Sequence, residues 1–217
     1  MIWRRIIGRI PFEVPINRIR SPFGEPFNDD NHWVRTLTEY EEGMDSFQSS
    51  SLYKYHQLFQ PHTIFDILPE EARLSLQRSE APALGLYPWG AWTNRRGGEW
   101  VSSRHCGPSA ASTVASEWEA FTSLYESLKH NGVRYDLHGY LFGSLLIPKD
   151  GPKYFLMLGG NHRTAAMYKL GHRSVRVRLL ARDYLTVPWV SEKRLRDEAS
   201  RVIFRELISE DVNFYRK

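Results

Sequence analysis

Tyr154 to Leu158 is an unbroken apolar run, and the chain then passes through Gly159-Gly160-Asn161-His162-Arg163 into a short helix-forming stretch. A short apolar run bounded by glycines reads as a buried strand. Thr164 to Leu170 reads as a short helix closed by Gly171 at the C-cap position. Val175, Val177 and Leu179 then alternate with Arg176 and Arg178, the period of a half-buried strand. Strand, glycine turn, helix and strand within 154–180 commit this region to helices packed on a sheet. Were its two strands parallel, their crossover would be right-handed.

The turn itself has chemical content. Two glycines let a ligand approach the backbone closely. The free amides of the first helical turn point at whatever sits there, and the helix dipole favours an anion. His162 and Arg163 add donors, and an arginine grips a phosphate with two parallel bonds. These are the parts of a phosphate cradle. The same residues equally suit a tight strand–helix turn with solvated His and Arg, and the pattern is neither a Walker loop nor a GxGxxG fingerprint.

Elsewhere the reading is uneven. Phe12 to Ile19 suggests a short strand, with Pro15 confining it to an edge or a strand end. Ser21 to Asn31 is a loop rich in Pro, Gly, Asn and Asp. Leu52–Phe59 and Pro69–Gln77 read as short helices, whereas Pro88–Trp92 and Arg95–Gly98 carry loop chemistry. Trp118, Phe121, Leu124, Tyr125 and Leu128 repeat every 3.6 residues, so 115–130 is an amphipathic helix stopped by Asn131-Gly132. Tyr140 to Pro148 reads as a strand, with a turn at Asp150-Gly151. Ser191 can cap a helix running to Ile208, with Leu195, Ala199, Val202, Ile203 and Leu207 on its apolar face.

Composition excludes several classes. The chain has 217 residues, which suits one domain with a useful core. Lys and Arg number 29 against 25 Asp and Glu, a net charge of +4. That permits contact with phosphates but falls short of the basic face of most nucleic-acid binders. Cys106 is the sole cysteine, so neither an intramolecular disulfide framework nor a multi-cysteine zinc site can form. A lone thiol fits a reducing cytoplasm. His56, His62, His105, His130 and His138 show no ligand spacing, so no dedicated zinc site is expected.

No apolar run reaches the ~18 residues of a membrane span, and the N-terminus is too short and too rich in arginine for a secretory signal. Ile2, Trp3, Ile6, Ile7 and Ile10 recur at helical spacing between Arg4, Arg5 and Arg9. Such a helix either packs on its own domain or lies on the anionic cytoplasmic face of a membrane.

Gly-Gly-Asn-His-Arg, followed by Ala165-Ala166 and Leu170-Gly171, resembles the signature of the ParB/sulfiredoxin superfamily. Leu124-Tyr125-Glu126-Ser127-Leu128 with Asn131-Gly132 is similar to that family's preceding helix, and Phe12–Ser21 to its opening strand. The resemblance covers 12–30 and 115–181, somewhat under half the chain. It implies an α+β fold: a small mixed sheet with surrounding helices, in one domain over 1–217. Residues 31–114 would be a large insertion with an acceptor-binding role, and 182–217 a C-terminal helical extension.

The resemblance implies nucleotide binding through Gly160, Asn161, His162, Arg163 and Thr164. Ser123 and Ser127, spaced i, i+4 on one helix face, match a pair of hydroxyl residues that contact nucleotide in such proteins. Asn161 stands where sulfiredoxin carries its reactive cysteine, so sulfinic-acid repair is rejected. The short region after residue 181 holds one clear helix, which argues against ParB-type DNA binding. A third branch resembles small-molecule kinases, in which an acidic residue after the first strand serves as general base. Glu25 matches it best, ahead of Asp29 and Asp30.

The expected activity is therefore nucleotide-dependent phosphotransfer to a hydroxyl of a small molecule or glycan precursor, with ATP or another nucleoside triphosphate and Mg2+. Glu25 and His162 are the expected catalytic residues. The aromatic residues of the insertion (Tyr53, Tyr55, Phe59, Trp89, Trp92 and Trp100) suit an acceptor pocket, or simply core. The alternative is a nucleotide-binding switch without turnover. The bare pattern names neither the acceptor nor the base, because this superfamily hosts several chemistries.

Overall fold

The computed structural model describes residues 10–60, 95–96, 99–100, 107–179, 189–195 and 198–208. Residues 1–9, the helix expected over 69–77, His62, Trp89, Trp92, His105 and Cys106 lie outside them. The described elements in chain order are β1 (Phe12–Pro15), β2 (Ile19–Arg20), α1 (His32–Glu41), α2 (Ser51–Leu58), β3 (Arg95–Arg96), β4 (Glu99–Trp100), α3 (Ala111–Asn131), α4 (Tyr135–His138), β5 (Leu141–Ile147), β6 (Tyr154–Gly159), α5 (Asn161–Lys169), β7 (Ser174–Leu179), β8 (Trp189–Ser191) and α6 (Glu198–Ile208). The architecture is mixed α+β, with a six-stranded mixed sheet in the order β1-β7-β5-β6-β2 and β8 joined to β5.

Strand order constrains the shape of this sheet. β1 and β2 lie at the two ends of the five-strand path, yet only the 3-10 turn Ile16–Arg18 separates them in sequence. Four strand spacings of ~4.8 Å would put the edges of a flat sheet ~19 Å apart. The turn rises only ~2 Å per residue, so Pro15 to Ile19 spans ~8 Å. The sheet must curl until its edges nearly meet. Phe12 of β1 and Phe155 of β6 accordingly pack edge to face across the inside, with centroids 6.0 Å apart. Pro15 ends β1 at the sheet margin, where its missing N–H costs no ladder bond.

β6 is buried on both faces. Phe155 and Met157 enter the main core with Val14, Ile19, Trp33, Leu37, Phe121, Tyr125 and Leu141. Tyr154 and Leu156 face a second, smaller core with Leu146, Leu195, Phe204 and Ile208, which α6 covers. This is why the run 154–158 shows no alternation. β6 is antiparallel to β5, and β7 is parallel to β5. β6 and β7 therefore run in opposite senses, and the crossover rule does not apply to 154–180.

Within the expected insertion, α1 and α2 contribute Trp33, Val34, Leu37 and Leu52 to the same core as α3 and α5. The Asn31 side chain accepts from the backbone N–H of Trp33 and Val34 and so caps α1. The region after Ser191 does not open directly into a helix. Leu145–Ile147 of β5 extend beyond β7, and Trp189–Ser191 fill that open edge as β8. A 3-10 turn follows, and α6 begins at Glu198. Its described core residues are Phe204 and Ile208, Val202 is half-buried, and the side chains of Ala199, Ile203 and Leu207 lie outside the description. Finally, Arg95–Arg96 and Glu99–Trp100 pair antiparallel where a loop was expected.

Phe204 is fully buried in the smaller core. Phe204→Ala should cost about 3 kcal/mol, read as a lower urea midpoint at an unchanged m-value.

Candidate functional site

Two loops meet at one end of the curled sheet. β2 runs parallel to β6, with Ile19 opposite Phe155 and Arg20 opposite Leu156. The loop after β2 and the turn after β6 therefore leave the sheet at the same end. The first carries Glu25 and leads into α1; the second carries Gly160 and opens α5.

α5 starts at Asn161, three residues before the expected Thr164. Gly160 is its N-cap, with φ +103°, a left-handed conformation that favours glycine. No side chain caps this helix end. The glycines also answer to packing. A Cβ on Gly159 would sit 2.1 Å from the Phe142 ring, and one on Gly160 would sit 2.3 Å from Leu141. The space they vacate on those sides is filled by the chain's own side chains rather than left open.

His162 Nε2 lies 2.9 Å from Glu117 Oε1. An ionised carboxylate only accepts, so Nε2 carries the proton. In the neutral ring Nδ1 then keeps its lone pair, and among the described residues none hydrogen-bonds to it. Phe121 and Trp33 pack on the imidazole at centroid distances of 4.7 and 5.6 Å. The ring is held on three sides, and the side chain is 33% exposed.

Glu117 is engaged on both oxygens. Its Oε2 lies 3.4 Å from His56 Nε2, an ion-pair distance longer than a good hydrogen bond. His56 is buried, and its Nδ1 lies 3.1 Å from Ser109 Oγ. The Glu117 side chain is 11% exposed. Burial pushes its carboxyl up, but the His162 hydrogen bond and the two close imidazoles of His162 and His56 outweigh burial, and the carboxyl is held well below the usual carboxylate range.

Glu25 belongs to a second, sealed pair. Its Oε2 lies 3.4 Å from His32 Nδ1, the residue is 4% exposed, and neither carboxylate oxygen touches solvent. His32 stacks on Tyr55 at 3.7 Å and packs against Trp33 at 4.1 Å. Burial pushes the His32 imidazole down, partly opposed by Glu25. His32 also feels the charges of His56 and Glu117, so the two pairs form one electrostatic cluster. The His162 side chain is thus partly open to solvent, whereas the Glu25 carboxylate is not.

The remaining candidates separate. Arg163 Nη1 donates to Gly139 O at 2.7 Å, and burial lowers the guanidinium pKa. Thr164 is fully buried and its hydroxyl donates to Gly160 O at 3.0 Å, so it closes the helix turn from within. Asn161 is 5% exposed, with Oδ1 sealed and unpartnered. Ser123 is exposed, and Ser127 Oγ accepts from Asn131 at 3.5 Å. Neither serine lies on the stripe formed by Glu117, Phe121 and Leu128 that meets α5. Asp29 and Asp30 are exposed; Asp29 accepts from Tyr168, about 10 Å along α5 from Asn161. Of the insertion aromatics, Tyr55 is core, and Tyr53 and Phe59 are half-buried.

Sequence reasoning missed Glu117, His56 and His32. One signal was present: Glu117 stands i−4 from Phe121 on the apolar stripe of α3, where a carboxylate needs a partner. Among the described residues no group of His, Cys, Asp and Glu has the geometry of a metal site. No described helix is long and apolar enough to cross a membrane. A shallow depression of about 510 Å3 lined by Asp45, Phe47, Trp118 and Glu119 lies on another face of α3 and includes none of the candidate residues. No family model matches the chain, and no curated protein matches it either.

Glu117→Gln should cost about 2 kcal/mol at pH 7. A depressed folded pKa contributes stability that is present above the ordinary value of 4.5 and is lost as pH falls toward the folded pKa. The difference in urea stability between wild type and E117Q should therefore narrow between about pH 5 and pH 3. A gap independent of pH would show that the carboxylate charge is not what matters.

Proposed function

We propose that the chain binds a nucleoside triphosphate at the N-terminus of α5 and transfers its terminal phosphoryl group to a hydroxyl of a small molecule or glycan precursor. The observation that carries this reading is His162: an imidazole at an uncapped helix start, its proton placed on Nε2 by Glu117 and its other nitrogen without a hydrogen-bond partner among the described residues. The resemblance of Gly159–Arg163 to the ParB/sulfiredoxin superfamily adds to it.

In this reading the first-turn amides and Arg163 hold the phosphates. The acceptor hydroxyl gives its proton to His162 Nδ1 as its oxygen bonds to the terminal phosphorus. The bond from that phosphorus to its bridging oxygen breaks, and the nucleoside diphosphate leaves with the electron pair. Glu117 stabilises the imidazolium so formed. Mg2+ arriving with the nucleotide would neutralise phosphate charge. The proton acceptor is thus His162 rather than Glu25, whose oxygens are sealed against His32. The same burial favours a second reading, a nucleotide-binding switch without turnover. Both readings imply a compartment with a nucleotide pool, such as the cytoplasm.

Calorimetric titration with ATP, CTP and ADP, with and without Mg2+, tests the shared core of both readings. The wild type should bind one nucleotide, and a His162→Ala/Arg163→Ala double variant should not. Absence of binding by the wild type would overturn both. Release of nucleoside diphosphate in the presence of hydroxyl-bearing sugars then separates enzyme from switch. His162→Gln should lower that rate at least about 100-fold, whereas Glu25→Gln should leave it within a few-fold.

A further inference from the structure

The face of the sheet beside α5 carries an arrangement that the phosphate reading does not use. Phe142 on β5 is 37% exposed. It pairs with Gly159 of β6 on one side and Arg178 of β7 on the other, so its ring stands in the row that leads to the α5 turn. The ring lies so close over Gly159 that any larger residue there would displace it. The glycine before the cradle thus serves the placement of an exposed aromatic.

Arg178, the β7 residue paired with Phe142, brings a positive charge to this row. The Arg178 guanidinium lies 4.1 Å over the Tyr140 ring, and Tyr140 stacks on Tyr135 at 5.4 Å. Arg178 Nε is sealed and makes no hydrogen bond. Arg163, on the neighbouring turn, is held by a carbonyl. Among the described residues neither arginine has a carboxylate partner. Two cations without counter-ions call for an anion. An exposed flat ring calls for an apolar face to cover it. A nucleotide combines both: phosphates and an aromatic base.

We infer that Phe142 is the stacking platform for the base of the nucleotide whose phosphates sit at the α5 turn, with Arg178 flanking it. This rests on the phosphate reading above. Paired residues on adjacent strands stand only ~5 Å apart, so a base on Phe142 stays within reach of phosphates at Gly160. Stacking on an aromatic ring tolerates any base, so ATP and CTP should both bind.

The test compares ATP with inorganic tripolyphosphate, each with Mg2+, by calorimetry on the full chain. Wild type, Phe142→Leu and Phe142→Ala are used. The leucine variant keeps apolar bulk over Gly159 and removes only the ring, which guards against a folding failure of the alanine variant. Both should weaken ATP about tenfold and leave tripolyphosphate within about twofold. Unchanged ATP affinity in the leucine variant would overturn the base site and leave the phosphate reading standing. An equal loss for both ligands would make Phe142 a support of the turn and also overturn it. Failure of the wild type to bind either ligand would overturn the phosphate reading, and the base site with it.

Discussion

A carboxylate held between two imidazoles ties together the helices that build the site. Glu117 of α3 meets His162 of α5 with one oxygen and His56 of α2 with the other. Removing a carboxylate from water is costly, and only close partners offset that cost. A charge placed at position 117 therefore requires α2 and α5 to dock where they do, or it is left buried and unpaired. The same contact orients His162 and assigns its proton. Packing and chemistry depend on one interaction, so a change at Glu117 acts on both.

Sheet curvature supplies the other constraint. A three-residue turn joins strands at opposite ends of the sheet path, and the sheet curls to satisfy it. Curling brings the loop after β2 beside the turn after β6. The two acidic groups this assembles have different fates. Glu25 is closed in by His32, whose ring is sandwiched near Tyr55 and Trp33. Glu117 leads outward through His162, which remains partly open. Burial, more than residue type, separates the sealed acid–imidazole pair from the partly open one.

Much of the local structure was legible. The apolar run 154–158, the alternation at 175–179 and the 3.6-residue period at 118–128 correspond to β6, β7 and α3, because in each the burial pattern is written in residue spacing. α1 carries mixed signals: its Asn31 cap lies in a polar run that reads as loop, whereas Trp33, Val34, Leu37 and Tyr40 keep the spacing of an amphipathic helix. The C-terminal region misled for another reason. Ser191 looks like a helix cap, but an open edge on β5 recruits it into a strand, and no local signal reports that edge. At the site, His162 and Arg163 stood in a visible motif, whereas His56 and Glu117 stand far apart in sequence and are brought together only by packing.

The sequence alone determined an α+β chain with a glycine turn between a buried strand and a helix, with a histidine and an arginine at the helix start. Periodicity and glycine placement are local properties, and local sterics enforce them wherever the chain goes. Tertiary structure alone decided which groups accompany His162. The Glu117 bridge, the sealing of Glu25 behind His32 and the exposure of Phe142 beside Arg178 all depend on distances between segments remote in sequence. Those distances come from sheet curvature and helix docking, and both are settled by core packing rather than by any residue's own preference.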